Sequence, residues 1–196
     1  KTLRWASAGD PLTADPHSQN EGLTNNFAQQ VHDTLVRRDK DLRIVPGLAT
    51  EWQRLDATTW RFTLRRGVTF HDGSPFTAAD VAFSIERAQH PHSTFRQYAN
   101  LLGAPKVIDA HTIELRQARP NPILLEYATT IAIMSKAWAA RQRAEVPLDF
   151  KSQKETTAAL QANGTGAWIL VVREPAVRTV LRRNPNWWGK HEGNVA

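Results

Sequence analysis

The chain has 196 residues, 41% hydrophobic and 22% charged, with a net charge of +6 and no cysteine. That is an ordinary balance for a folded domain with one sizeable core or two small ones, and the lack of thiols excludes disulfides, cysteine nucleophiles, zinc–thiolate sites and cysteine-held iron–sulfur clusters. No stretch approaches the ~18 apolar residues of a membrane span, and the polar start Lys1-Thr2-Leu3-Arg4-Trp5 lacks the apolar run of a signal peptide, so the numbering is expected to begin at a mature or trimmed end.

In chain order, Leu3–Ala8 reads as a first strand, followed by a turn-rich loop through Gly9-Asp10-Pro11 and Asp15-Pro16-His17. Leu23, Phe27 and Val31 recur at helical spacing, with Asn20 or Thr24 as the N-cap. Leu35-Val36 and Leu42–Val45 flank Asp39-Lys40-Asp41 as a short hairpin. Trp60, Phe62 and Leu64 alternate with Arg61, Thr63 and Arg65, so a pleated strand sends one set inward and the other to solvent. Gly67 and Asp72-Gly73 supply turns, and Thr77 with Asp80 forms a capping box for a helix carrying Ala78, Val81, Ala82, Ile85 and Ala88. Pro91 ends that helix near His90.

Further on, Lys106–Arg116 is a second hairpin around Asp109-Ala110-His111, and Pro120 and Pro122 introduce a short helix at Ile123–Ala128. Ile131–Met134 reads as a brief buried strand. Lys136–Asn163 is expected to be helical pieces split by Pro147, with Asn163-Gly164 as a stop. Trp168–Val172 and Val177–Arg183 are the last strands. The arginines occur as separate pairs, Arg37-Arg38, Arg65-Arg66 and Arg182-Arg183, which read as solvated faces; with no groove-reading motif beside them, nucleic acid is not an expected partner.

Several separated motifs share one resemblance. Asp15-Pro16-His17, Pro46-Gly47-Leu48-Ala49-Thr50-Glu51-Trp52, the run Phe62–Val81, Gly164-Thr165-Gly166 and Asn184-Pro185-Asn186-Trp187-Trp188 stand in the order found in the extracytoplasmic solute-binding proteins, family 5, of peptide and nickel ATP-binding-cassette importers. This chain departs from the pattern at Ala14, at Ala167-Trp168 and at Trp187, where the family usually has Leu, Pro-Tyr and Tyr. The resemblance implies an α/β (mixed α+β) fold, the lobe I part of a type II periplasmic-binding-protein fold with a mixed sheet, flanking helices and hairpins. Because family members run more than twice this length, residues 1–196 are expected to be a single truncated lobe, its small β-rich subdomain included, without lobe II or the returning C-terminal part.

The same resemblance implies a non-enzymatic carrier that captures a peptide, an opine-like solute or a metal chelate for a membrane permease, in the periplasm or lipid-anchored outside a Gram-positive cell. The alternative is a protein-interaction or regulatory domain that keeps the lobe without transport. Half a cleft should bind its small-molecule or peptide ligand very weakly, and an uncovered lobe face should favour dimerisation. The ligand-binding residues so implied are Gly9, Asp10, Asn20 and Thr24 for polar contacts, Phe95 and Tyr98 for apolar walls, and Thr129 and Thr130; Asp10 would meet a peptide amino terminus.

No cofactor, catalytic residue or metal site is expected. His71, Asp72 and Ser74 are neighbours in one turn, whereas nucleophilic triads are assembled from distant segments. His90 and His92 offer two imidazoles where a metal requires three or four ligands. Gly164-Thr165-Gly166 lacks the Lys-Ser/Thr of a phosphate loop, and Trp52, Trp60, Trp187 and Trp188 are read as packing.

Overall fold

The strand Trp60–Leu64 folds as its alternation requires. In the computed structural model, which describes residues 9–152 and 156–191, it is β4 (Thr59–Leu64), with Phe62 and Leu64 buried and Arg61 and Thr63 exposed. The strand expected at Leu3–Ala8 lies outside the described residues. β4 sits inside a four-stranded sheet ordered β3-β4-β6-β5, with β3 at Ala49–Arg54, β5 at Ala104–Asp109 and β6 at Thr112–Arg116. Across β4 and β6, Arg61 stands opposite Glu114 and pairs with it at 2.5 Å on the wet face. Ile113 and Leu115 continue the dry face.

Helix α2 (Ala78–Ala88) covers that face. Thr77 and Asp80 close the capping box, and Val81, Ile85 and Ala88 are fully buried against β5 and β6. The helix stops two residues before His90, where the bonding tightens and His90 N donates to Arg87 O only three residues back. Gly73 takes φ +83° in the Asp-Gly turn that precedes it, a conformation that disfavours any residue with a Cβ.

Helix α1 (Gly22–Val31) is capped by neither Asn20 nor Thr24. Glu21 is the cap, its carboxylate accepting from Thr24 N and Leu23 N, because the longer side chain reaches back over the first turn. The first hairpin is β1 (Val36–Arg38) with β2 (Ile44–Pro46), and the last is β7 (Trp168–Glu174) with β8 (Arg178–Arg183), whose Leu170 and Leu181 pack on Phe27 and Val31 of α1. Every ladder among the described residues is antiparallel, as short hairpin connections demand. The mixed sheet of the expectation therefore shows only its antiparallel pairings here. Short helices α3 (Arg96–Leu102), α4 (Leu124–Ala128), α5 (Lys136–Arg141) and α6 (Thr157–Leu160) complete the described elements, with one 3₁₀ turn at Phe150–Ser152. No helix among the described residues is long and apolar enough to cross a membrane.

Ile131–Met134 is buried but forms no ladder. Its peptide groups are met one at a time instead: Ile133 N donates to Asp33 O at 2.9 Å and Met134 N to Ser84 Oγ at 2.9 Å. His17 Nε2 and His32 Nδ1 donate to the carbonyls of Ala132 and Ile133. Buried backbone requires partners, and here three side chains and one loop carbonyl supply what a neighbouring strand would have given.

The bend at Gly164 rests directly on the end of α1. A Cβ at Gly164 would lie 2.0 Å from Val31 O, so the backbone itself would have to move. Gly164→Ala is expected to destabilise by about 3 kcal/mol, the upper part of the overpacking range. Gly22→Ala, where nothing lies within 4 Å of the added carbon, should stay within about 0.5 kcal/mol of the parent. Urea melts of the two variants test the pair; equal midpoints would refute the packing account.

Candidate functional site

An open groove of about 660 Å³ runs where the start of α1, the entry to α3, the end of α4 and strand β1 meet. Five of the eight residues that the resemblance implies line it: Asn20, Phe95, Tyr98, Thr129 and Thr130. One wall is aromatic. Phe95 is buried with its ring 6.5 Å from His17 and 6.3 Å from Tyr98, and Tyr98, 37% exposed, lies 6.1 Å from Tyr127.

The polar groups of the groove are already oriented by their own bonds. Thr129 and Thr130 follow α4, where their hydroxyls donate to Glu126 O and Tyr127 O, each at 2.7 Å. With those protons committed, both hydroxyl oxygens can offer a ligand only acceptors. Asn20 Oδ1 accepts from Asn25 Nδ2 at 2.8 Å, which leaves the Asn20 amide to donate. Donor and acceptor edges beside a ring wall suit an extended amide backbone with apolar side groups. A second, shallower hollow shares Asn20 and Tyr98 and is otherwise lined by polar residues of the 93–100 segment.

Three expected residues are placed elsewhere. Thr24 is 1% exposed and its hydroxyl accepts Leu12 N, tying down the loop before α1. Asp10 accepts from Arg173 Nη1 at 3.4 Å and from Ala176 N at 3.2 Å, so its carboxylate secures the β7–β8 turn. Gly9 is exposed, with Leu23 beside it, and does not line the groove. The common cause is the 9–16 loop, which packs back across α1 and β7.

The groove also has a floor that sequence reasoning did not name: His32, Asp33, Arg37 and Arg38, with Trp187 at its end. Asp33 Oδ2 accepts from Thr165 Oγ1 and Trp188 Nε1, each at 2.8 Å, so one carboxylate joins the end of α1, the Gly-Thr-Gly bend and the tryptophan pair. Burial raises its pKa, and the bonds from Trp188 and Thr165 act against that rise. His32 is held neutral by burial, at about 4, its Nε2 sealed from solvent without a protein partner. Arg38 is neutralised by Glu126. The one advance signal was the Arg37-Arg38 pair, now in β1, which its occurrence as an isolated pair had assigned to a solvated face.

Two tempting chemistries are spent on structure. Ser74 Oγ and N both bond Asp72, whose other oxygen meets Arg141 at 2.6 Å, while His71 Nε2 bonds Gly166 O. These contacts form no nucleophile–base relay. His90 Nδ1 accepts His92 N, and among the described residues no group of three or more His, Cys, Asp or Glu is set to hold a metal.

The family model for bacterial extracellular solute-binding proteins, family 5 Middle, matches residues 43–196, and the chain belongs to that family. It is 28% identical to the periplasmic murein peptide-binding protein MppA of Escherichia coli K12, over 91% of this chain and 35% of that protein. It is 29% identical to the nickel-binding periplasmic protein of the same organism, over 96% of this chain and 34% of that one. The oligopeptide-binding protein AppA from Bacillus subtilis, solved with a nonapeptide, shares the fold at a TM-score of 0.80 and 17% identity, over 93% of this chain and 36% of that one. The chain thus spans about a third of the length of the curated relatives it matches, and these relatives are named as binding proteins.

Proposed function

We propose that the chain is the lobe I part of a solute carrier for an ATP-binding-cassette importer, working outside the cytoplasmic membrane and catalysing no reaction. The groove is its half of the cleft, and the solute is peptide-like. The observation that carries this reading is the juxtaposition of Tyr98, Thr129, Thr130 and Asn20: a ring wall with fixed acceptors and a free amide donor on one rim. The partner is the importer's permease. The tripeptide Ala-Ala-Ala should shift the backbone amide signals of Asn20, Tyr98, Thr129 and Thr130 in ¹H–¹⁵N spectra; shifts scattered away from the groove, or none at millimolar peptide, would overturn the reading.

Affinity should be poor, because one lobe covers only one side of a ligand that such proteins ordinarily enclose. By calorimetry a peptide is expected to bind with Kd above about 0.1 mM, equivalent to less than about 6 kcal/mol; a micromolar titration would contradict the half-cleft picture. The exposed Val171, Val177 and Val180 of β7–β8 favour association of two copies. Light scattering should show the mass rising with concentration, and a monomer throughout would count against it.

A further inference from the structure

Arg37 lies in β1 and Arg65 directly after β4, yet consecutive peptide carbonyls hold both. Arg37 Nε donates to Pro46 O at 3.3 Å and Arg65 Nε donates to Gly47 O at 3.2 Å. Both guanidinium carbons lie over the same indole, that of Trp188, at 5.8 and 4.3 Å from its centroid. The indole is itself fixed by its bond to Asp33. Like charges so close repel, and the Arg65 pKa is lowered by burial and by the Arg37 charge. Among the described residues neither guanidinium has a carboxylate within ion-pair distance; Asp33, whose charge is felt by both, has its Oδ2 committed to Thr165 and Trp188. Each keeps its terminal N–H fork unspent. Two stacked, preoriented forks beside a groove are the arrangement that grips a carboxylate in bidentate fashion, which an ammonium pair would not reproduce.

We infer that the Arg37–Arg65 pair on Trp188 is an oxyanion subsite beside the groove, where Arg37, Gly47 and Trp187 line it, taking a carboxylate of the bound solute. This rests on the groove being the solute site and narrows its ligand to one that bears an acid group. The acid is either a peptide's C-terminal carboxylate or that of a small organic acid.

The test follows the Trp188 indole and the Arg65 Nε–H signals of this chain by NMR at low ionic strength. Succinate should shift both saturably, uncharged succinamide should not, and Arg37→Gln should weaken the succinate response at least fivefold. Arg37 is exposed, so that variant should fold; Arg65→Lys, which keeps the charge but loses the fork, should weaken it as well. Equal responses to succinate and succinamide, to succinate and sodium chloride, or in parent and Arg37→Gln would overturn the subsite. Ala-Ala-Ala and its C-terminal amide then separate the sources. A Trp188 shift with the acid peptide only assigns the subsite to peptide carboxylates, and a shift with succinate alone assigns it to small acids. If both peptides shift Tyr98 and Thr129 while neither they nor succinate move Trp188, the subsite falls and the carrier reading stands; if succinate binds and no peptide does, the peptide reading falls and the subsite stands.

Discussion

Stability is expected to fall by about 3 kcal/mol per pH unit as the pH drops from 6.5 towards 4. The cause is two buried, neutral histidines. Burial lowers the pKa of His17 to about 3 and of His32 to about 4, from an ordinary 6.5. For His17 the neighbouring Arg87 charge adds to the effect. Between pH 6.5 and 4 the unfolded chain therefore takes up protons at both positions while the folded chain does not, so acid favours unfolding. The stability is complete above 6.5 and is lost progressively below it. Burial lowers the His71 pKa too, which adds in the same direction. Asp15 enters only in stronger acid: burial alone would raise its pKa, but Arg87 holds it at about 2, so its contribution is present above 3.8 and lost as the pH falls towards 2. Urea midpoints at pH 7.5, 6 and 5 check the slope, and a flat profile would refute it. His32→Asn keeps a donor for Ile133 O without the titration, and should remove about half of the slope.

Arg87→Met is expected to cost about 3–5 kcal/mol at neutral pH. Arg87 and Asp15 both have fully buried side chains, joined through two parallel bonds of 2.8 and 2.7 Å. Arg87 spends the rest of its fork on Ala144 O, Val146 O and His17 Nδ1, and Asp15 also accepts Leu148 N. Methionine would fill most of the volume but leave the Asp15 charge without its counter-ion and two carbonyls without donors. That uncompensated charge, more than the lost attraction, sets the size of the effect. Asp15→Asn in the Arg87→Met background should restore part of the loss, because it removes the stranded charge. A melting temperature within a degree of the parent for Arg87→Met would show that the pair is dispensable. Loss of this cluster would also free the 9–18 loop and the Ala144–Leu148 segment, which it ties together beneath the groove.

Local rules made much of the fold legible. The alternation of Trp60–Leu64, the capping box of Thr77 with Asp80 and the hairpin turn at Asp109-Ala110-His111 are short-range devices, and each forms where spacing places it. The groove was legible in part, through family resemblance rather than through any pattern of its own. Asn20, Phe95, Tyr98, Thr129 and Thr130 are up to 110 positions apart, and no periodicity links them.

What only the tertiary structure decided is where long-range polar bonds go. Asp10 and Thr24 have the chemistry of ligand contacts, yet the packed loop turns them to the β7–β8 turn and to Leu12. Asp33, Arg37 and Arg65 read as ordinary polar residues until Trp188 and the carbonyls of Pro46 and Gly47 bring them together. Backbone propensity and hydrophobic period act over a few residues, so the sequence by itself determined strands such as β4, helices such as α2 and the hairpin turns, while Ile131–Met134, strand-like in pattern, found no partner strand. A side chain's partner depends on which distant segment folding places beside it, and that was settled only when the chain had packed.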